Sequence, residues 1–163
     1  MATETLQEKK FYLTKEGLGK IKKEFEDLKG IKLAKMRGDV PKMLQSEDVD
    51  SEYISFQEDM ELLERRLQEL DTVLKNYEII KPPSGKKADT VYLGGKVFLQ
   101  DNSGNKIDLK IVGTLEADPF AGKISNESPV GRALLGRKVG EVVNMKNPVN
   151  FSYKVLKVCY GET

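Results

Sequence analysis

The sequence predicts an α+β protein: an N-terminal antiparallel coiled-coil helical hairpin, then a small antiparallel β-sheet domain with one short helix. Three observations carry this. Tyr53, Phe56, Met60, Leu63, Leu67, Leu70, Leu74 and Tyr77 recur at alternating spacings of 3 and 4, the seam of a coiled coil. Leu18, Ile21, Phe25 and Leu28 repeat at 3, 4, 3 just upstream and supply a partner stripe. After Lys81-Pro82-Pro83-Ser84-Gly85-Lys86-Lys87, a linker by composition, the apolar period falls to 2, that of strands. The domains expected are 1–80 for the hairpin, 81–87 for the linker and 88–163 for the sheet.

Each element has a local cause. Leu13-Thr14-Lys15-Glu16-Gly17 reads as a helix entry, with Thr14 as N-cap and Glu16 in the first turn. Past Leu28 the first arm meets Gly30, Gly38 and Pro41, so its upper part is expected to bend or break. Ser46 or Asp50 can cap the second arm, a helix of about 40 Å ending near Tyr77. Val91 to Leu99 reads as a strand, Asp101-Asn102-Ser103-Gly104-Asn105 as a hairpin turn, and Ile107, Leu109, Ile111 as the return strand. Ser128, Pro129 and Gly136 bracket a helix of about two turns by N-cap, first-position proline and terminal glycine. Val139 to Met145 and Phe151 to Tyr160 complete the sheet.

Composition excludes several kinds of chemistry. The 163 residues contain no histidine, which removes Ser-His-Asp and Cys-His nucleophilic sites and His-ligated zinc. The single Cys159 lies in an apolar strand and is expected to be a buried thiol. No apolar run spans a bilayer, and Met1 to Lys10 lacks the apolar core of a signal peptide, so a cytoplasmic protein is expected.

The net charge of +1 hides a division. Residues 1–80 carry 14 basic against 18 acidic side chains, and residues 81–163 carry 13 against 8. From Lys9 to Arg37 ten basic residues face four acidic ones. Between Lys42 and Arg65 there is no basic residue, while Glu47, Asp48, Asp50, Glu52, Glu58, Asp59, Glu61 and Glu64 all fall there. A hairpin positive along its first arm and acidic toward its tip is the result. The basic arm lacks interleaved aromatics, so only loose attraction to an RNA or DNA backbone is expected of it.

Clustered carboxylates can bind calcium, form an acid–base pair, or hold magnesium beside phosphates. A calcium loop needs a central glycine, and none lies between Gly38 and Gly85. An acid–base pair needs a walled pocket, which a hairpin end lacks. Magnesium takes only one or two protein carboxylates and shares the rest of its shell. A bare tip suits that role when another molecule completes the site.

Leu-Thr-Lys-Glu-Gly at the start, the Glu-rich second arm, and Ile111-Val112-Gly113, Glu116-Ala117-Asp118, Ile124-Ser125 and Ser128-Pro129-Val130-Gly131-Arg132-Ala133-Leu134-Leu135-Gly136 together resemble the bacterial Gre transcript-cleavage factors over about residues 11–160. The resemblance implies a coiled-coil hairpin and a C-terminal domain of FKBP-like fold. It implies a non-enzyme whose hairpin enters the secondary channel of bacterial RNA polymerase. There tip carboxylates share a Mg2+ with the polymerase, which cuts the 3′ end of its own backtracked RNA. It also implies docking by the second domain, for which Asp118, Ser128, Pro129 and Arg132 are the candidates; Asp118, as an exposed loop acid, is expected to have little structural role. A monomer with no cofactor of its own is expected.

The tip departs from the family's Gly-Asp-Leu-x-Glu-Asn-Ala-Glu-Tyr. Anchored on Glu52-Tyr53, the family's aspartate falls on Ser46 and its glutamate on Val49. Gly38-Asp39-Val40 resembles Gly-Asp-Leu but stands 14 residues before Glu52. Glu47 and Asp48 are therefore the expected metal-holding pair, with Asp50 in reserve. The alternatives are a polymerase inhibitor with the same docking and an altered tip, a peptidyl-prolyl isomerase, and a coiled-coil adaptor.

Overall fold

The computed structural model describes residues 9–38, 51–146 and 150–161. The chain divides into two compact units, one containing Leu18–Tyr77 and the other Phe11–Gly17 with the chain from Glu78 onward. The sequence reading assigned all of 1–80 to the hairpin; the contacts place Phe11–Gly17 in the second unit.

In the first unit, α1 (Lys15–Arg37) continues from its first turn and α2 (Ser51–Lys75) forms the second arm. Ion pairs Glu24–Arg66, Lys32–Glu64 and Lys35–Asp59 join the two, so rising numbers on one helix meet falling numbers on the other. The helices are antiparallel. Tyr53, Phe56, Met60, Leu63, Leu67 and Leu70 are each less exposed than the residues on either side, and Leu70 retains only 3% of its accessible surface; at the last turn Val73 is more buried than Leu74. On α1 Ile21 and Leu28 do the same, and Leu18 and Phe25 are half-buried along the same stripe. Gly30 does not interrupt α1, which stays helical to Arg37. The bend expected near Pro41 and the caps Ser46 and Asp50 lie outside the described residues.

The ladder ends one step early. Tyr77 leaves the helix and opens β2 (Tyr77–Ile79), which pairs with β1 (Phe11–Leu13); the Ile80 N–H donates to the Leu13 carbonyl at 2.8 Å. Strands of three residues are too short to show alternation, which is why neither was legible.

In the second unit, β3 (Lys96–Asp101), β4 (Lys106–Val112), β5 (Lys123–Ser125), β6 (Val142–Met145) and β7 (Phe151–Cys159) form a sheet of order β5-β4-β3-β7-β6. Four strands are antiparallel as expected; β5 runs parallel to β4, so the sheet is mixed. The first strand starts at Lys96 and not at Val91, because Gly94 adopts φ +87° and turns the chain. Likewise Val139 precedes its strand, since Gly140 at φ +92° must be passed first.

The hairpin turn stands where expected. The Asp101 carboxylate accepts from the Ser103 and Asn105 backbone N–H groups and from the Asn105 amide. These bonds hold its pKa below the usual carboxylate value, the Asn105 side chain contributing most. Val97, Leu99, Leu109, Ile111, Val143 and Val155 face one side of the sheet and form the core with Val91 and Leu134. Leu134 belongs to α3 (Pro129–Leu134), which covers that side. Cys159 is half-buried, not fully buried, because it falls on the other side, opposite Lys96.

Candidate functional site

Two regions were candidates: the hairpin tip and the loops around β5. Glu47, Asp48 and Asp50, like Asp39, lie outside the described residues. Among the described residues no group of three or more carboxylate, Cys or His side chains could hold a metal ion.

Below the tip the charge pattern changes meaning. Lys32 and Lys35 continue the α1 seam after Leu28 at steps of 4 and 3, where apolar residues would be expected. Their ammonium groups pair with Glu64 at 2.8 Å and Asp59 at 2.5 Å. Two of the eight acids counted toward the tip are thus matched across the hairpin and are not part of an unbalanced acidic end. Lysine suits these positions because its aliphatic stem can lie along the seam while its head stays in water. Each pair is partly exposed and contributes at most about 1 kcal/mol. Arg66 binds both carboxylate oxygens of Glu24, at 2.7 and 3.1 Å, and reaches Glu69 as well. This raises its already high pKa, Glu24 acting most strongly.

In the second unit Asp118 and Ser128 stand at opposite ends of β5. The Asp118 backbone exchanges hydrogen bonds with Lys123, the first residue of β5, both at 2.9 Å. Its carboxylate accepts from the Phe120 and Ala121 N–H groups at 3.1 and 3.3 Å and caps the one-turn helix Pro119–Ala121. Asp118 therefore has a structural role, contrary to the expectation for a loop acid. Ser128 donates its hydroxyl hydrogen to the Ser125 carbonyl at 2.7 Å and accepts from the Gly131 N–H at 3.0 Å, capping α3. Pro129 follows at the first helical position, and Arg132 is exposed one turn further along the helix. Thr114 donates to Glu127 at 2.8 Å and lies 3.0 Å from the Ser125 hydroxyl, tying the preceding loop to the same strand end.

The residue missed by the sequence reading is Phe120. It is fully exposed, two residues after Asp118, on a turn closed by Gly122 at φ +69°. Its phenyl ring is the most exposed of the large apolar side chains among the described residues. Its signal was an aromatic between Pro119 and Gly122 in a segment with no alternation.

The chain is thus a helical hairpin followed by a small mixed sheet domain with an exposed, capped turn, an architecture without a metal-ligating cluster among the described residues. Two family models match consecutive parts of the chain: "Transcription elongation factor, N-terminal" at residues 11–79 and "Transcription elongation factor, GreA/GreB, C-term" at residues 86–160. The transcription elongation factor GreA of Lactococcus lactis subsp. cremoris (strain SK11) is 40% identical over 162 residues, covering 93% of this chain and 99% of that one. GreA of Clostridium acetobutylicum is 38% identical over 156 residues, covering 93% and 98%. Among solved structures, GreA factor homolog 1 (Gfh1) of Thermus thermophilus is 27% identical, covers 93% of this chain and 99% of its own, and superposes with a TM-score of 0.41. The chain belongs to the GreA/GreB family of transcription elongation factors.

Among the described residues no helix is long and apolar enough to cross a membrane.

Proposed function

We propose that this chain binds bacterial RNA polymerase, places the end of its hairpin in the secondary channel, and stimulates the polymerase to cleave backtracked RNA. The observation that supports this best is membership of the GreA/GreB family through both parts of the chain, residues 11–79 and 86–160. The chain supplies no nuclease of its own. The turn at Asp118–Gly122 and the start of α3 dock on the polymerase, with Phe120 as the apolar anchor and Arg132 at the rim.

In this reading Glu47 and Asp48, with Asp50 in support, share a Mg2+ with the polymerase. Bound magnesium would favour ionisation of a water for attack on the RNA phosphodiester. The carboxylates contribute negative charge and oxygen donors, which suit that hard cation. The protein works as a monomer in the cytoplasm.

The test is a stalled, backtracked elongation complex with end-labelled RNA, with and without the protein. Wild type should shorten the RNA and restore elongation. Glu47→Ala/Asp48→Ala should bind polymerase with nearly unchanged affinity and fail to stimulate cleavage, with partial rescue at raised magnesium. If Asp39→Ala abolishes cleavage while that double variant works, the tip has been placed wrongly. Slowed elongation without cleavage would make the protein an inhibitor instead.

A further inference from the structure

The side of the sheet away from the core carries a charge pattern that lies outside the docking surface proposed above. Register places Lys123, Lys110, Lys96 and Cys159 in one row across β5, β4, β3 and β7. The next row is Asp108, Phe98 and Lys157, and the third is Lys106, Gln100, Lys154 and Val142. Paired residues point to the same side of a sheet, and alternate residues along a strand do too. Lys96, Lys106, Lys110, Lys123, Lys154 and Lys157 thus share one face with Phe98, against Asp108 as the acid among these paired positions.

Of the six lysines, Lys96 pairs with Asp108 at 2.9 Å and its ammonium lies 5.4 Å from the centre of the Phe98 ring. Lys106, Lys110, Lys123, Lys154 and Lys157 have no ion pair among the described residues. Like charges placed opposite each other on neighbouring strands, as at Lys96–Lys110 and Lys110–Lys123, are destabilising in an isolated sheet. An anion lying across the face would relieve this repulsion. The anion must be extended, since the lysines spread over four strands spaced about 4.8 Å apart. It must also offer a flat group to the half-buried Phe98 at the centre of the face.

We propose that this sheet face binds single-stranded RNA, with the lysines on phosphates and Phe98 stacking on a base. Sheets with a central aromatic and a basic surround hold single strands because every base has a π-face and every nucleotide a phosphate. The contact is independent of the hairpin tip and is formed without polymerase.

The experiment uses the full-length protein and a fluorescein-labelled oligouridine of about 20 nucleotides, read by fluorescence anisotropy over a salt series. Engagement of three to five lysines predicts a slope of log affinity against log salt of about −2 to −3.5. Lys110→Glu/Lys157→Glu should weaken binding at least tenfold and flatten the slope. Lys110→Gln/Lys157→Gln should do so more mildly, which separates charge from misfolding together with an unchanged melt. Phe98→Ala should weaken binding about fivefold or more with the slope unchanged, as loss of stacking requires. Affinity insensitive to all three variants would overturn the proposal. So would loss of binding in Lys22→Glu/Lys23→Glu on α1 with the sheet variants unaffected, or capture of phosphatidylserine vesicles under conditions where the RNA does not bind.

Discussion

Glu116 completes the cap of α1, whose N-cap residue Thr14 lies 102 residues earlier. Its carboxylate accepts from the Thr14 backbone N–H at 2.7 Å and from the Thr14 hydroxyl at 2.6 Å, while that hydroxyl accepts from the Gly17 N–H at 3.0 Å. In a capping box the third helical residue is Glu or Gln and reaches back to the N-cap N–H. Here that residue is Gly17, and a Cβ built on it would lie 2.2 Å from the Glu116 carboxylate. The distant glutamate occupies the space of the missing side chain.

Gly17→Ala should therefore destabilise the protein by about 1 kcal/mol or more, although alanine is the better helix former by a similar amount. In a Glu116→Ala background the same substitution should become neutral or stabilising. Thermal melts of both single variants and the double variant give the coupling; simple additivity would show that the carboxylate and Gly17 do not compete for one space.

The hairpin should depend on its apolar seam far more than on its ion pairs. Leu70→Ala should cost about 2–3 kcal/mol, because the side chain is buried and leaves a cavity. Lys35→Ala should cost no more than about 1 kcal/mol, as its pair with Asp59 is partly exposed. Urea unfolding of the whole chain compares the two. A larger loss from Lys35→Ala would mean that the polar extension of the seam holds the arms together.

Asp118 and Phe120 should separate stability from binding. Asp118→Ala removes the cap of Pro119–Ala121 and should lower the melting temperature, by about 1 kcal/mol of stability. Phe120→Asp changes a ring with no cover and should leave the melt unchanged. On the docking reading it should weaken affinity for core RNA polymerase at least tenfold, about 1.4 kcal/mol. Equal affinities in a direct binding assay would remove the turn from the interface.

Tyr160 sets an upper pH limit on the second unit. Its hydroxyl donates to the Thr90 carbonyl and accepts from the Tyr92 N–H at 2.7 Å, and burial raises its pKa above the ordinary 10.0. The folded state keeps the proton longer than the unfolded chain does. Its contribution is thus complete below pH 10 and falls as pH rises from there through the raised value. Tyr160→Phe should lose about 1 kcal/mol per hydrogen bond at neutral pH. It should also show a shallower decline than wild type in melts above pH 10. Parallel declines would mean that this hydroxyl titrates alike in both states.

Local pattern was sufficient wherever the deciding forces act between near neighbours. The 3–4 ladder of α2, the Thr14 and Ser128 caps and the Asp101 turn each depend on residues a few positions apart, so their spacing carries the physics. The C-terminal motif around Asp118 and Ser128 also carried the family, since its residue order is itself the signature. Tertiary structure alone decided what depends on distant partners. Lys32 and Lys35 read as surface charge until Glu64 and Asp59 came opposite them. Glu116 read as one letter of a motif until it met Thr14. Asp118 and Phe120 sit two residues apart in a loop that composition could not orient; only the folded turn set the one to cap backbone N–H groups and the other out in water. The lysine face likewise needed strand register, because residues from 96 to 157 become neighbours only when hydrogen bonds between strands align them.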